Sequence, residues 1–411
     1  MADEWPEWDV VGYSHFESMD MAMGKRAEII IIGAGVIGTS IAYHLAKLGC
    51  RDVIVLEKED TIGSGSTAKA AGGVRQQFCT EVNIRLSMES IKAFERFEEE
   101  IGSPPDFHQC GYLKFVSTEE ESQWLHQIVA LQQKLGVEVY LLSPGEAKEM
   151  VPALNIDDVS GAVYCPTDGK VDPYSVVQGY ASAARRLGAR IYTGIEVVGI
   201  KTTKGHQVQG VLTNEGEVEA AVVVNAAGPY AGLVGKTVGL DIPVHPHKKQ
   251  TFYTAPLDEI QKDAPIIMDL HGSLFIKREG SGLSITGTDP DQPEGFDITF
   301  SWNCFPKIAE RVLHRFPFMA DVGIMRGEAG LHPDTPDTSA ILGDVPEVGG
   351  LYLACGLNSQ GVMHSPAVGR LMAEYILGIG SDPAISLLRL SRFRDGALQK
   401  EGLLSKGDWS E

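Results

Sequence analysis

The sequence predicts an α/β fold in which a doubly wound, Rossmann-like domain is interleaved with an α+β domain built on an antiparallel sheet. Three observations predict it. Residues 28–57 alternate strand, glycine-rich turn, helix and strand. Residues 245–290 read as successive strands, with QTFYTAP, GSLFIKR and LSITGT as the candidates. Residues 349–378 return to strand, glycine turn and helix. A βαβ start, an antiparallel middle and a βα return fit two woven domains better than two consecutive halves. The expected division is an N-terminal extension 1–27; one domain made of 28–110, 160–244 and 326–395; a second made of 111–159 and 245–325; and a tail 396–411.

Each element has a local reason. The run IIIIGAGVIGTS opens with an apolar strand over 28–33, turns through glycines, and continues as a helix over 37–48. A second strand, 53–57, ends on Glu57. The small-residue loop GSGSTAKAAGGVRQQF (63–78) precedes a helix over about 81–100, whose apolar residues recur at helical spacing. GYLKFVS (111–117) reads as a strand and 119–136 as an amphipathic helix. Asp172 as cap and Pro173 at the first helical position open a helix over 172–188. Alternation in 208–213 and 218–225 predicts a hairpin and a returning strand. Strand 351–355, a loop and a helix over 365–378 close the pattern.

Composition narrows the partners. Against 35 basic residues stand 55 acidic ones, a formal charge of −20 with no basic cluster, which argues against nucleic acid or anionic lipid. The longest apolar runs are strand-sized, short of the ~20 residues of a membrane span. The six cysteines, at 50, 79, 110, 165, 304 and 355, form no CxxC pair and no metal-like spacing with histidine. Free thiols, no metal and a reducing, cytoplasmic compartment follow as expectations. The acidic extension carries Trp5 and Trp8 and lacks a signal-peptide pattern.

In GAGVIG, Gly33 permits the tight turn, Gly35 admits a pyrophosphate against the backbone, and Gly38 allows the helix to sit on the strand. The helix N-terminus offers free N–H groups and partial positive charge to phosphates. Nineteen residues after Gly38, Glu57 stands where a carboxylate can take both hydroxyls of a ribose. Strand, helix and acid in register point to a dinucleotide. An NAD domain normally continues with further βα units, whereas this chain enters the 63–78 loop, which is either a plain surface loop or the lining of an extended ligand. VVVNAAGPYA (222–231) runs a strand into small residues where backbone can crowd a cofactor. GGLYLACGLNSQGVMHSPAVGR (349–370) supplies a second helix N-terminus. Each of these is also compatible with ordinary strand-to-loop packing.

Taken in order, GAGVIG, Glu57, GSTAKAAGGVR, NAAGPYA and LYLACGLNSQGVMHSPAVGR resemble the D-amino-acid-oxidase-type FAD-dependent oxidoreductases. Within that superfamily the chain is similar to the sarcosine/dimethylglycine oxidase and dehydrogenase branch, over roughly residues 28 to 395. The resemblance implies FAD stretched across the doubly wound domain, its ring between that domain and a β-rich substrate domain. The implied cofactor contacts are Gly33, Gly35, Val36, Ile37, Gly38, Glu57, Lys58, Ser66, Thr67, Gly72, Gly73, Val74 and Val197, then Ala226, Ala227, Gly228, Gly356, Asn358, Ser359, Gln360, Gly361, Val362 and Met363. Glu57, Lys58 and Val197 belong to the adenosine end.

The same resemblance implies oxidation of an amine by hydride transfer to the flavin, which demands positioning more than a strong base. Arg75 falls where monomeric sarcosine oxidases carry a carboxylate-binding arginine, although a structural ion pair is an equal reading of the residue itself. Two departures follow. Met363 stands where those enzymes have a lysine near the flavin, and His332 where amino-acid oxidases have the arginine of GxRP. Simple glycine and D-amino acids are thereby disfavoured, and secondary or N-methylated amino acids stay open. The tethering cysteine of monomeric sarcosine oxidases falls near Gly330 and the FMN-holding histidine of heterotetrameric relatives near Val171, so noncovalent FAD and no second flavin are expected. Tyr253 is a further catalytic candidate; Gln77, His247, Lys277 and Arg278 are polar groups that reach the site or the surface. Electrons pass to O2, a quinone or an electron-transfer protein, and an accessory subunit is implied by multi-subunit relatives. A 2-hydroxy-acid dehydrogenase and an assembly flavoprotein without turnover are the alternatives.

Overall fold

The computed structural model describes residues 25–287, 289, 291–380 and 382–401. The extension with Trp5 and Trp8 and the tail beyond residue 401 lie outside the described residues. A six-stranded sheet runs in the order Ile341–Asp344, Leu351–Cys355, Val222–Asn225, Ile29–Ile32, Val53–Leu56 and Arg190–Tyr192. All its pairings are parallel except that between Ile341–Asp344 and Leu351–Cys355. Successive side chains of a strand point to opposite faces, and both faces here are buried. Ile29, Ile31, Val53 and Val55 face a core shared with three helices, Val36–Lys47, Pro173–Arg186 and Gly361–Ile376. Ile30, Ile32, Ile54 and Leu56 face a second core under the meander Val197–Thr202, Val208–Thr213 and Gly216–Glu219. That is why these strands read as unbroken apolar runs instead of alternations.

The second sheet has eight strands, in the order Ile324–Asp334, His245–Thr254, Gly282–Gly287, Leu274–Glu279, Ile266–Asp269, Tyr112–Val116, Gly161–Cys165 and Tyr140–Leu142. It is antiparallel except where Ile266–Asp269 runs parallel to Tyr112–Val116. One face carries the cross-strand row Phe252, Ile285, Ile276, Ile267 and Leu113, packed against Ile308 and Val312 of the helix Phe305–Arg315.

Several expectations are corrected by this topology. The boundaries drawn at 160 and 326 are displaced, because Gly161–Cys165 and Ile324–Asp334 hydrogen-bond into the eight-stranded sheet. The helix expected over 81–100 is two, Glu81–Glu95 and Phe97–Ile101, because Arg96 leaves helical geometry at φ −111°, ψ 11°. The last long helix begins at Gly361 and contains Pro366. Proline cannot donate to the carbonyl four residues back, and Ser365 Oγ donates to that Val362 carbonyl at 2.8 Å instead. The predicted Asp172 cap is present, its carboxylate accepting from Ser175 N at 3.0 Å. Among the described residues no helix is long and apolar enough to cross a membrane, and the six cysteines are free.

Candidate active site

The two sheets share one cleft of about 1100 Å³, larger than the ~300–1,000 Å³ of an ordinary small-molecule pocket. At its nucleotide end Gly33 takes φ +102°, and a Cβ there would sit 2.6 Å from the Ala226 carbonyl oxygen. A Cβ on Gly38 would lie 2.0 Å from the Gly33 carbonyl oxygen, so Gly38 sets the helix-to-strand approach and does not itself line the cleft. Thr67 Oγ1 accepts from Val36 N at 3.1 Å and holds the 66–69 turn over the start of the helix Val36–Lys47. Glu57 accepts from Ala34 N at 2.8 Å and Glu59 N at 3.0 Å, which fixes its carboxylate on the cleft edge with acceptor capacity to spare. Lys58 Nζ lies 3.6 Å from the centroid of the Tyr230 ring and 3.3 Å from Glu59. Around Gly228 and Gly361 nothing lies within 4 Å of where a Cβ would be, leaving backbone open to a ligand. Two helix N-termini, an acid at a strand end and uncovered glycine backbone fit an extended dinucleotide.

The middle of the cleft is the loop after Gly72. A Cβ on Gly72 would meet the Val171 carbonyl oxygen at 2.2 Å, and one on Gly73 the Tyr112 hydroxyl at 1.8 Å. Gly73 and Val74 pair with Lys170 and Gly169, and Asp168, fully buried, accepts from Gln76 N at 2.8 Å and Gln77 Nε2 at 3.0 Å. Burial raises the Asp168 carboxyl above the usual range, against those hydrogen bonds. This scaffold holds Arg75 on the cleft, its guanidinium 4.5 Å from the Phe78 ring centroid. Arg75 Nε is buried with no hydrogen-bond partner, and no ion pair of Arg75 occurs among the described residues.

The opposite wall is the second face of the eight-stranded sheet. One straight cross-strand row, Glu328, Thr251, Thr286, Phe275, Met268, Lys114 and Val163, lines the cleft. Thr251 and Thr286 share a hydrogen bond of 2.8 Å. Trp124 and Ile128 add apolar surface from the helix Glu119–Lys134. Lys114 is almost fully buried and donates to the Gln77 carbonyl oxygen at 2.6 Å. Burial and the Arg75 charge pull its ammonium down to about 7, against the pull of Asp168. The residue sequence reasoning missed is this one, and its signal was legible: a lone charge inside the apolar strand GYLKFVS.

The structure brings most of the expected residues together. Gly33, Gly35, Val36, Ile37, Glu57, Lys58, Ser66, Thr67, Gly72, Gly73, Val197, Ala226, Ala227 and Gly228 line the cleft, as do 356 and 358–363. Asn358, at φ 52°, spends its side chain inside the protein, Nδ2 donating to the Gly356 carbonyl oxygen of its own loop at 2.9 Å and Oδ1 accepting from Thr335 N at 2.9 Å. Arg75, Gln77, His247, His332 and Met363 are also on the wall. His247 and His332 face each other across the strand pair, with His247 Nδ1 3.2 Å from Asp334 Oδ2. Gly38, Val74 and Tyr253, expected at the site, are off the lining. Val74 is fully buried behind the lining. Tyr253 lies off the lining, its hydroxyl donating to Glu328 and the Arg326 guanidinium 3.6 Å over its ring; burial and Glu328 hold its phenol above the usual range. Lys277 pairs with Glu279, and Arg278 donates to the Leu257 carbonyl oxygen at 3.1 Å, both away from the cleft.

Fold and site together define a two-domain dinucleotide-dependent oxidoreductase. More particularly, the chain belongs to the FAD dependent oxidoreductase (DAO) family, whose sequence pattern matches residues 28–375, and FAD is its cofactor. It is 32% identical over 391 residues to the mitochondrial dimethylglycine dehydrogenase of Rattus norvegicus, covering 90% of this chain and 45% of that protein. It is 30% identical over 367 residues to the mitochondrial sarcosine dehydrogenase of Homo sapiens, covering 86% and 40%. The chain thus spans less than half the length of these curated relatives. Among solved structures, the L-proline dehydrogenase of P. horikoshii superposes with a TM-score of 0.84 at 32% identity, covering 92% of this chain and all of the other.

Proposed function

We propose that this protein oxidises the C–N bond of a secondary or N-methylated amino acid, of the sarcosine, dimethylglycine or proline type. The single observation that carries the reading is Arg75: a cation on the cleft wall, held by its scaffold, with a buried unpartnered Nε and no ion pair among the described residues. A planar guanidinium in that state is suited to a two-pronged grip on a substrate carboxylate. Met268, Phe275, Trp124 and Ile128 offer an apolar wall for N-methyl or pyrrolidine carbons. FAD supplies the two-electron acceptor for the C–N bond when bound. Arg75 orients the carboxylate, the apolar wall excludes water, and Glu57 with the two helix N-termini holds the cofactor's far end.

The attachment is proposed to be noncovalent. Gly330 has no side chain and the Lys69 stem fills the space beside it, 2.5 Å from where a Cβ would be; Val171 is buried off the lining. Acid precipitation should therefore leave the yellow colour in the supernatant; colour in the pellet refutes it. The free cysteines support a reducing compartment, with the cytoplasm proposed and imaging of the tagged full chain as its check. O2, a quinone or an electron-transfer protein takes the electrons, and an accessory subunit remains part of the proposal by likeness to the family. The deciding experiment is anaerobic mixing of the flavoprotein with sarcosine, dimethylglycine, L-proline and L-2-hydroxyglutarate, read as loss of flavin absorbance. Bleaching by an amine is expected. Bleaching by the hydroxy acid alone, or by nothing, overturns the reading in favour of a hydroxy-acid dehydrogenase or an assembly flavoprotein.

A further inference from the structure

Lys114 is the one charged residue of the strand Tyr112–Val116 and sits on its cleft face, between Val163 and Met268 in neighbouring strands. Its Nζ is anchored to the Gln77 carbonyl oxygen, and no ion pair of Lys114 occurs among the described residues. Each charged or titratable group acting on it comes from a different part of the fold. Arg75 stands on the loop in front, Asp168 on the buried turn behind, Cys79 at the start of the helix Glu81–Glu95, and Glu401 on the C-terminal segment. Burial and Arg75 oppose its charge; Asp168, Cys79 and Glu401 favour it; the balance lies at about 7. Above that pH Lys114 is an amine with a free lone pair in the same cleft as Arg75.

We propose that Lys114 accepts the ammonium proton of a zwitterionic amino acid bound in this cleft. The inference rests on the reading of Arg75 as a carboxylate grip. Burial is the larger cause that holds Lys114 neutral and the Arg75 charge the second; a carboxylate arriving on Arg75 offsets that second cause, so Lys114 gains basicity when substrate is in place. The substrate N–H bond breaks, an Nζ–H bond forms, the substrate passes from zero charge to −1 and Lys114 from zero to +1. The substrate nitrogen thereby acquires the lone pair that C–N oxidation requires, and no electron or further reactant enters the step.

The test uses methoxyacetate, which has the shape of sarcosine with an ether oxygen in place of the amine and so brings no proton. FAD-loaded protein is titrated calorimetrically at about pH 8, in two buffers of different ionisation enthalpy, to count protons. The wild type should take up close to one proton per methoxyacetate bound, because Lys114 must draw it from buffer. Lys114→Met and Lys114→Arg should bind methoxyacetate with no uptake, the first lacking the base and the second already charged; should Lys114→Met lose FAD, Lys114→Arg carries the test. Uptake that persists in the variants, or is absent from the wild type while methoxyacetate binds, overturns the role of Lys114 alone. Failure of methoxyacetate to bind the wild type overturns the carboxylate reading of Arg75 and this inference with it. As a second readout, the pH profile of anaerobic flavin reduction by sarcosine should move to higher pH in Lys114→Met; an unmoved profile counts against the proposal.

Discussion

Arg75, half-buried, and His364, fully buried, show how single groups set chemistry and stability. Truncating Arg75 to Ala removes the proposed carboxylate partner without touching the Asp168 scaffold. The KM for an N-substituted amino acid should rise roughly 100-fold, the loss associated with a desolvated charge pair, at unchanged FAD absorbance. A KM within experimental error of wild type contradicts the assignment. His364 is a buried imidazole and His44 a half-buried one with its Nε2 enclosed, and both pKa values are pulled down to about 3, chiefly by desolvation. His364 Nε2 shares a 2.7 Å hydrogen bond with Ser87 Oγ. Unfolded, both titrate near ~6.5. Between that pH and about 3 the unfolded chain binds protons that the folded chain refuses, so stability is full above the window and falls as pH drops through it. The urea midpoint should decline from about pH 7 to pH 5 and decline less in His364→Gln. A midpoint indifferent to pH across that range would falsify the assignment.

Among the elements, the crossing of the helices Val36–Lys47 and Gly361–Ile376 matters most, since it brings two N-termini to the same cleft. A Cβ on Gly369 would lie 2.0 Å from Ser40 Oγ, which itself donates to the Ser365 carbonyl oxygen at 2.7 Å. Gly369→Ala should therefore destabilise by roughly 1–3 kcal/mol, the usual cost of overpacking, and lower the FAD retained on gel filtration. Adding Ser40→Ala should recover part of both. Full stability in the single variant would mean the helices can separate without disturbing the nucleotide end.

At the scale of the whole molecule, the segment Arg392 to Glu401 ties Asp337 and the start of the helix Glu81–Glu95 to the site. Arg392 and Asp337 form a fully buried ion pair, Nε to Oδ2 at 2.7 Å, and Gln399 N donates to the same Asp337 oxygen at 2.9 Å. Glu401 then reaches the start of the helix Glu81–Glu95, where it accepts from Thr80 Oγ1 at 2.8 Å and Asn83 Nδ2 at 2.9 Å, and from Cys79 N. Glu401 also lines the cleft. Glu401→Ala leaves these donors without their acceptor, so a loss of roughly 2–4 kcal/mol is expected, measured by chemical denaturation of the FAD-loaded protein. A change below about 0.5 kcal/mol, typical of surface substitutions, would show that water replaces the carboxylate.

The nucleotide half was legible because its determinants are local. Gly33, Gly38 and Glu57 act within a few residues of their own strand ends, so spacing alone exposes the turn, the helix approach and the strand-end acid. The Arg75 loop was reached through family resemblance, and its scaffold of Asp168 and the Gly73–Lys170 pairing was not, because those partners lie some ninety residues away. The opposite wall of the cleft was hidden for the same reason. Alternation shows that Lys114, Met268, Phe275 and Thr286 share a face only once strand order and register are known, and the parallel pairing of Ile266–Asp269 with Tyr112–Val116 is invisible to local pattern. Tyr253 was misplaced for want of that register, which sets it opposite Arg326 and Ser284, off the row that lines the cleft. The sequence by itself determined that the chain takes a dinucleotide, and it singled out Gly33, Gly35 and Glu57, which the fold sets on the cleft. Only the tertiary structure decided that a buried lysine shares the cleft with Arg75, because burial and the charges of distant neighbours exist only in the folded chain.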